Sequence, residues 1–232
     1  MPKRKGFWDT QYKKPTHLTL SDDPSEDLIK FTRWLVREYG KKFLNVTSLV
    51  ADLGCGNGRN LLYLSQHFGV HGVGYDTSKE ALMQGRAKAA AQELPLVFEE
   101  RSIAKPIALG DESATIVLDM MSSHVLLRAE REALRTEILR ILKPSGWLFF
   151  KSFLLDEDRH AERLLREHQG PEEGMYLHPE IGVAEYVWTE DALHEFFEPQ
   201  FFIHKIEKSH KHVRKNGEAW KRRTVSLYLE KI

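Results

Sequence analysis

Apolar and polar positions along the chain fall into two patterns, short apolar runs and longer amphipathic segments. The apolar runs are typical of buried strands and occupy residues 48–54, 70–76, 94–102, 113–120 and 146–154. The amphipathic segments between them predict helices at residues 59–69, 78–93 and 131–146. Because strands that alternate with helices pair in parallel and are covered on both faces, we expect a doubly wound α/β fold.

The same pattern predicts further elements at both ends of the chain. A helix begins after Pro24 and Ser25 and ends at Gly40. Toward the C-terminus we expect a helix at residues 189–197 and two strands at residues 201–210 and 224–232. The connection between these two strands contains an Asn-Gly pair, which favours antiparallel pairing.

Composition and charge narrow the class of protein. Apolar residues make up 41% of the 232 residues, which indicates a folded core. Lys and Arg (34) balance Asp and Glu (34), so no overall field attracts nucleic acid or an anionic membrane. The single Cys55 excludes an intrachain disulfide, and no apolar run is long enough to span a bilayer. Because the N-terminal residues lack the apolar stretch of a signal peptide, we expect a cytoplasmic protein that contacts no membrane.

Three glycines lie between the first predicted strand and its helix, in the sequence VADLGCGNGRN at residues 50–60. Bare backbone amides beside a helix N-terminus suit a nucleotide-like ligand. A dinucleotide fingerprint has the spacing G-x-G-x-x-G, whereas Gly54, Gly56 and Gly58 have the spacing G-x-G-x-G. Asp52 would repel a pyrophosphate but favours a ligand with a cationic ammonium or sulfonium group.

This stretch resembles motif I of the class I S-adenosylmethionine-dependent methyltransferases, and later motifs follow that family's order from about Ser48 to Phe153. The resemblance implies a methyltransferase with S-adenosylmethionine as cofactor. It also implies a Rossmann-like, mostly parallel seven-stranded sheet whose last strand is antiparallel. The candidate cofactor-binding residues are Asp52, Gly54, Cys55, Gly56, Asn57, Gly58, Asp76, Ser102, Ile103, Asp119 and Met120.

Individual roles follow from the same resemblance. The second strand ends in VGYD, so Asp76 is expected on the ribose hydroxyls, and a carboxylate can accept from both of them. The fourth strand ends in VLDM, which the family places beside methionine and substrate. The family often has an acidic residue at the adenine amino group, whereas this chain has Ser102 there, with Glu100 as the alternative and Ile103 against the ring.

Methyl transfer from a sulfonium is an in-line displacement that depends mainly on alignment and exclusion of water. His124 follows the fourth strand, and because histidine side chains commonly act in proton transfer it is a candidate general base or substrate hydrogen-bonding group; the alternative is a histidine that caps the loop. The substrate candidates are Tyr12, His17, Ser123, Tyr176, His178 and Tyr186. We expect no metal site, because the histidines lack recognised ligand spacing.

The predicted organisation is an N-terminal arm and helix at residues 1–45, acting as a lid, and a methyltransferase domain at residues 46–232. A loop-rich insertion near residues 156–187 would shape the substrate site. The favoured acceptor is a small molecule. The alternatives are RNA (tRNA or rRNA), bound by the basic segment at residues 204–223, and a catalytically silent binding or scaffold protein.

Overall fold

A computed structural model of the protein describes residues 4–16, 20–210 and 222–232. The helices are α1 (Arg4–Lys13), α2 (Glu26–Tyr39), α3 (Arg59–Phe68), α4 (Lys79–Ala91), α5 (Arg128–Ile141), α6 (Arg159–Glu167) and α7 (Glu190–Phe197). The strands are β1 (Leu49–Leu53), β2 (His71–Asp76), β3 (Leu96–Glu100), β4 (Ala114–Met120), β5 (Leu142–Leu154), β6 (Met175–Leu177), β7 (Ala184–Tyr186), β8 (Phe201–Lys208) and β9 (Arg223–Lys231).

Seven strands form one sheet in the order β3-β2-β1-β4-β5-β9-β8. Strands β1 to β5 pair in parallel, and β9 pairs antiparallel with both β5 and β8. The predicted fold class is therefore confirmed, including the antiparallel last strand. The strand order reverses at β1, which lies between β2 and β4, and ligands of such sheets bind at the carboxyl ends of the strands beside this point.

Strand β5 shows why its sequence is continuously apolar. Trp147 and Phe149 pack into the core on the α2 and α3 side, whereas Leu148 and Phe150 pack into the core on the α5 and α7 side. The ring of Phe31 on α2 stacks on Phe149 with 4.8 Å between ring centroids. A strand buried on both faces needs apolar side chains at odd and even positions alike.

Two regions differ from the sequence-based expectation. Residues in the predicted arm form α1, although they show no helical period. The loop-rich stretch contains α6, capped by Asp158, whose Oδ1 accepts from Ala161 N–H at 3.0 Å, and a hairpin of β6 and β7. Strands of three residues are too short to show an alternating pattern. None of the helices within the described residues is long and apolar enough to cross a membrane.

Candidate active site

A cavity of about 510 Å³ lies at the carboxyl ends of β1, β2 and β4. It is lined by the loop after β1, the ends of β2 and β4, the segment after β3, and α1. The lining residues are Trp8, Tyr12, Leu20, Ser21, Gly54, Cys55, Gly56, Asn57, Arg59, Asn60, Asp76, Thr77, Arg101, Ser102, Ile103, Met120, Met121, Ser122, Val125 and Leu126. The cavity therefore lies where ligands of such sheets bind, in the crevice beside the point at which the strand order reverses.

The glycine loop brings backbone directly to the cavity wall. Gly54 and Gly56 have φ angles of 79° and 54°, a conformation that side chains disfavour. A Cβ atom on Gly54 would lie 2.4 Å from Cβ of Ser122, and one on Gly56 would lie 2.1 Å from the hydroxyl oxygen of Tyr12. Backbone conformation therefore favours glycine at both positions; a side chain at Gly54 would also overlap Ser122 Cβ, and one at Gly56 would displace the Tyr12 side chain.

Gly58 serves a different purpose from the other two glycines. It does not line the cavity, and with φ 75° it is the N-cap residue of α3. A Cβ atom there would lie 2.5 Å from the ring of Phe98 on β3. The positive φ angle and this packing both favour glycine at position 58, and its contact with the cofactor stays a prediction.

Asp76 lies on the cavity wall at the end of β2. Its Oδ2 accepts from Gly56 N–H and its Oδ1 from Ser78 N–H, both at 2.8 Å. Burial raises the pKa of this carboxyl despite the two bonds. Each carboxylate oxygen can accept a further hydrogen bond, so Asp76 is available to two ligand hydroxyls.

Asp52 is buried beneath the loop, with 1% of its surface exposed, and does not line the cavity. Its Oδ2 has no hydrogen-bond partner among the described residues. Burial, assisted by the charge of Asp76, raises the pKa of Asp52 to about 7. A buried carboxylate without a partner is costly, and a ligand cation nearby would favour its charged form. This environment fits the cationic ligand that the sequence predicts.

The turn after β4 forms another part of the wall. Met120, Met121 and Ser122 line the cavity, whereas Asp119 is buried behind them. Asp119 Oδ1 accepts from Ser122 Oγ at 2.7 Å and from the backbone N–H of Ser123 at 3.1 Å. Asp119, a predicted cofactor residue, therefore holds the turn rather than facing the cavity.

At the other end of the cavity the chain presents Ser102 and Ile103, whose contact with adenine stays a prediction. The Ser102 hydroxyl accepts from Ala104 N–H at 3.2 Å. Glu100, the alternative, does not line the cavity, and its Oε2 lies 3.6 Å from Nζ of Lys79. Of the two candidates, the structure brings only Ser102 to the cavity.

His124, the predicted catalytic residue, does not line the cavity and is 4% exposed. Its Nε2 lies 3.6 Å from Oε1 of Glu185. Ser123 is also buried behind the wall. Since neither side chain reaches the cavity, the structure does not bring these two candidates into contact with a ligand there, and their functional roles stay predictions.

The other substrate candidates are scattered. Tyr12 lines the cavity, whereas Tyr176 is buried and its hydroxyl donates to Oε2 of Glu185 at 2.6 Å. His178 Nδ1 accepts from Glu180 N–H at 3.3 Å, which places it in a local turn. Tyr186 lies 3.8 Å under the guanidinium of Arg131, in a separate groove. His17 lies outside the described residues.

Several lining residues were missed by the sequence reasoning. Arg59 and Asn60 end the quoted glycine stretch and Thr77 directly follows VGYD, so proximity along the chain was an available signal. Leu20 and Ser21 had no such signal. Their segment reaches the cavity through a long-range contact, in which Asn57 Nδ2 donates to Oδ1 of Asp22 at 2.9 Å. Within the described residues, no three His, Cys, Asp or Glu side chains are grouped to hold a metal ion.

Known proteins share this domain and this fold. Residues 50–146 match the sequence model of a family described as a methyltransferase domain. A SAM-dependent methyltransferase from Methanosarcina mazei superimposes with a TM-score of 0.69 at 20% identity, covering 82% of this chain and 95% of that one. No curated protein matches the chain.

A second structure is informative because it contains ligands. The 1,6-didemethyltoxoflavin-N1-methyltransferase of Burkholderia thailandensis, with bound 1,6-didemethyltoxoflavin and S-adenosylhomocysteine, has a TM-score of 0.69 at 13% identity. The alignment covers 98% of this chain and 87% of that one. At such low identities the solved structures show a shared fold. Together with the domain match, they support the predicted class: residues 50–146 match a methyltransferase domain, and the chain has the fold of S-adenosylmethionine-dependent methyltransferases.

Proposed function

We propose that the protein transfers the methyl group of S-adenosylmethionine to a small-molecule acceptor bound in the 510 Å³ cavity. The observation that carries this proposal is the roof of the cavity, formed by Trp8 and Tyr12 of α1 together with Leu20 and Ser21. A cavity of this volume suits a compact ligand.

The lining residues support an orientation for the cofactor. Asp76 would accept from the ribose hydroxyls, Ser102 and Ile103 would contact the adenine, and Asp52 would favour the cationic end. When bound, S-adenosylmethionine supplies a methyl group activated by its sulfonium. The chain itself aligns the two reactants and excludes water through Trp8 and Tyr12, which is the main requirement of an in-line displacement.

The RNA alternative has less support. Its basic segment covers residues 204–223, of which residues 211–221 lie outside the described part of the structure. Several described basic side chains in it pair with glutamates of the same chain: His204, Lys205, Lys208, Arg222 and Arg223. Cations already paired within the fold are less available to phosphates. The domain match also supports an enzyme rather than the silent scaffold.

Calorimetric titration tests the cofactor assignment, with S-adenosylhomocysteine as probe and NAD as control. We expect binding of S-adenosylhomocysteine at micromolar concentration or tighter and no binding of NAD. A screen with labelled S-adenosylmethionine then compares small amines, thiols and hydroxyl compounds with tRNA and rRNA. Transfer to RNA alone would overturn the proposed acceptor class while leaving the enzyme class intact.

We also propose that α1 is a lid over the cofactor, held closed by its contact with α4. Asp9 Oδ1 accepts from Ser78 Oγ at 2.8 Å and from Glu80 N–H at 3.2 Å. Gln84 Nε2 donates to the backbone oxygen of Tyr12 at 3.1 Å. These bonds fix the helix whose Trp8 and Tyr12 line the cavity.

Asp9→Asn is therefore expected to speed dissociation of S-adenosylhomocysteine by about tenfold, since it weakens charge-assisted bonds worth roughly 1.5 kcal/mol. Stopped-flow tryptophan fluorescence measures this rate. Asp111→Asn is the control, because Asp111 is another hydrogen-bonded carboxylate that pairs with Arg140, outside the cavity. An unchanged rate in Asp9→Asn would show that α1 does not retain the ligand.

A further inference from the structure

A buried charged cluster lies behind the wall that the turn after β4 forms. Its centre is Glu185 on β7, which is 4% exposed and is the one buried glutamate among the described residues. Residues of four other segments surround it: His124, Phe153, Tyr176 and Arg222. None of these five side chains lines the cofactor cavity.

Glu185 uses both of its oxygens in this cluster. Oε2 accepts from the hydroxyl of Tyr176 at 2.6 Å and pairs with the guanidinium of Arg222. Oε1 faces Nε2 of His124 at 3.6 Å. The ring of Phe153 completes the cluster, 3.5 Å from the guanidinium of Arg222 and edge-to-face with His124 at 5.0 Å between centroids.

A buried ion pair is not the most stable way to fill this space. Removing two charges from water is expensive, and apolar residues of similar volume are often at least as stabilising. Burial lowers the pKa of Arg222 to about 10, which reflects this cost. What the pair provides instead is a defined geometry, because a carboxylate with partners on several segments fixes each of them.

The partner that matters for function is His124. It lies in a short 3₁₀ turn, Ser123–Val125, and the neighbouring Ser122, Val125 and Leu126 line the cavity. One side of the turn therefore forms the cavity wall while the other side carries His124 toward Glu185. Because His124 shares this short turn with the wall residues, a shift of the backbone at His124 would shift the wall.

We propose that Glu185 is a positioning residue for the acceptor side of the active site, acting through His124 on the wall residues Ser122, Val125 and Leu126. This inference rests on the proposed function and on the family resemblance, which implies that the end of β4 lies beside methionine and substrate. It gives the insertion between β5 and α7 a role at the site, although Tyr176 and Glu185 do not reach the ligand cavity.

The test is Glu185→Gln, which keeps the shape of the side chain and removes its charge. In protein labelled at valine and methionine methyl groups with ¹³C, we expect shifted signals for Val125 and Met121, which line the cavity. Signals of the exposed Val46 and Met83 should stay in place. The affinity for S-adenosylhomocysteine should remain within about twofold, because Asp76 and the glycine loop are untouched.

Glu207→Gln is a matched control. Glu207 also accepts from a buried tyrosine, Tyr228, at 3.2 Å and pairs with a cation, Lys205, but it lies on β8. Both variants should lose stability, whereas only Glu185→Gln should shift the Val125 and Met121 signals. If Glu185→Gln does not fold, Glu185→Asp and Tyr176→Phe provide milder changes to the same cluster.

The outcomes separate this inference from the proposed function. Unshifted Val125 and Met121 signals in folded Glu185 variants, or equal shifts in the Glu207 variant, would overturn the positioning role. Failure of the wild-type protein to bind S-adenosylhomocysteine would overturn the proposed function, whatever the methyl signals show. With an acceptor from the screen, Glu185→Gln should change the KM or kcat for acceptor and leave the KM for S-adenosylmethionine unchanged.

Discussion

Gly56→Ala is expected to lower the affinity for S-adenosylhomocysteine by about 100-fold. The φ angle of 54° costs a residue with a Cβ atom about 1–2 kcal/mol. A further cost of similar size comes from overlap, since the new methyl group would lie 2.1 Å from the hydroxyl oxygen of Tyr12. Relief of either strain displaces the loop or the lid, and both line the cavity. Calorimetric titration measures the loss.

Gly182→Ala is the control for this experiment. Gly182 also has a positive φ, 63°, but a Cβ atom there has no neighbour within 4 Å. It lies in the insertion, so its replacement should reduce stability without changing the affinity. If Gly182→Ala weakened binding as much as Gly56→Ala, general loss of stability rather than the shape of the loop would explain the result.

The strands and the glycine loop could be predicted from the sequence because their causes are local. The doubly buried β5 needs apolar residues throughout, and the positive φ angles at Gly54 and Gly56 restrict the residue type at those positions. Helix α1 could not be predicted in this way. Asp9 contacts Ser78 and Glu80, which lie about 70 positions further along the chain. Because the contacts that hold the helix are distant in sequence, residues 4–13 show no helical pattern of apolar positions.

The placement of His124 shows a second limit. The sequence puts it beside the end of β4, but the direction of its side chain depends on the turn that follows. In a 3₁₀ turn residues three apart lie on the same side, so Ser122 and Val125 both face the cavity. Ser123 and His124 lie on the buried side, whereas Leu126, which also lines the cavity, follows the turn in extended backbone. The turn type, rather than the residue types, decides which side chains line the cavity.

Asp76→Ala is expected to weaken binding of S-adenosylmethionine and S-adenosylhomocysteine by about 1–3 kcal/mol, or roughly 5- to 150-fold. The carboxylate already accepts from Gly56 and Ser78, so its orientation is fixed before the ligand arrives. Two ribose hydroxyls would therefore meet acceptors that need no reorganisation. The variant also leaves Gly56 N–H without its hydrogen-bond partner. Because Gly56 lines the cavity, this adds to the loss of ligand affinity.

A ligand lacking one ribose hydroxyl separates these two effects. If Asp76 binds the ribose, 2′-deoxy-S-adenosylhomocysteine should bind the wild-type protein more weakly than S-adenosylhomocysteine, and Asp76→Ala should bind the two ligands almost equally. The difference between the two proteins is the coupling energy of carboxylate and hydroxyl. Equal discrimination by both proteins would mean that Asp76 supports the glycine loop through Gly56 and does not contact the ribose.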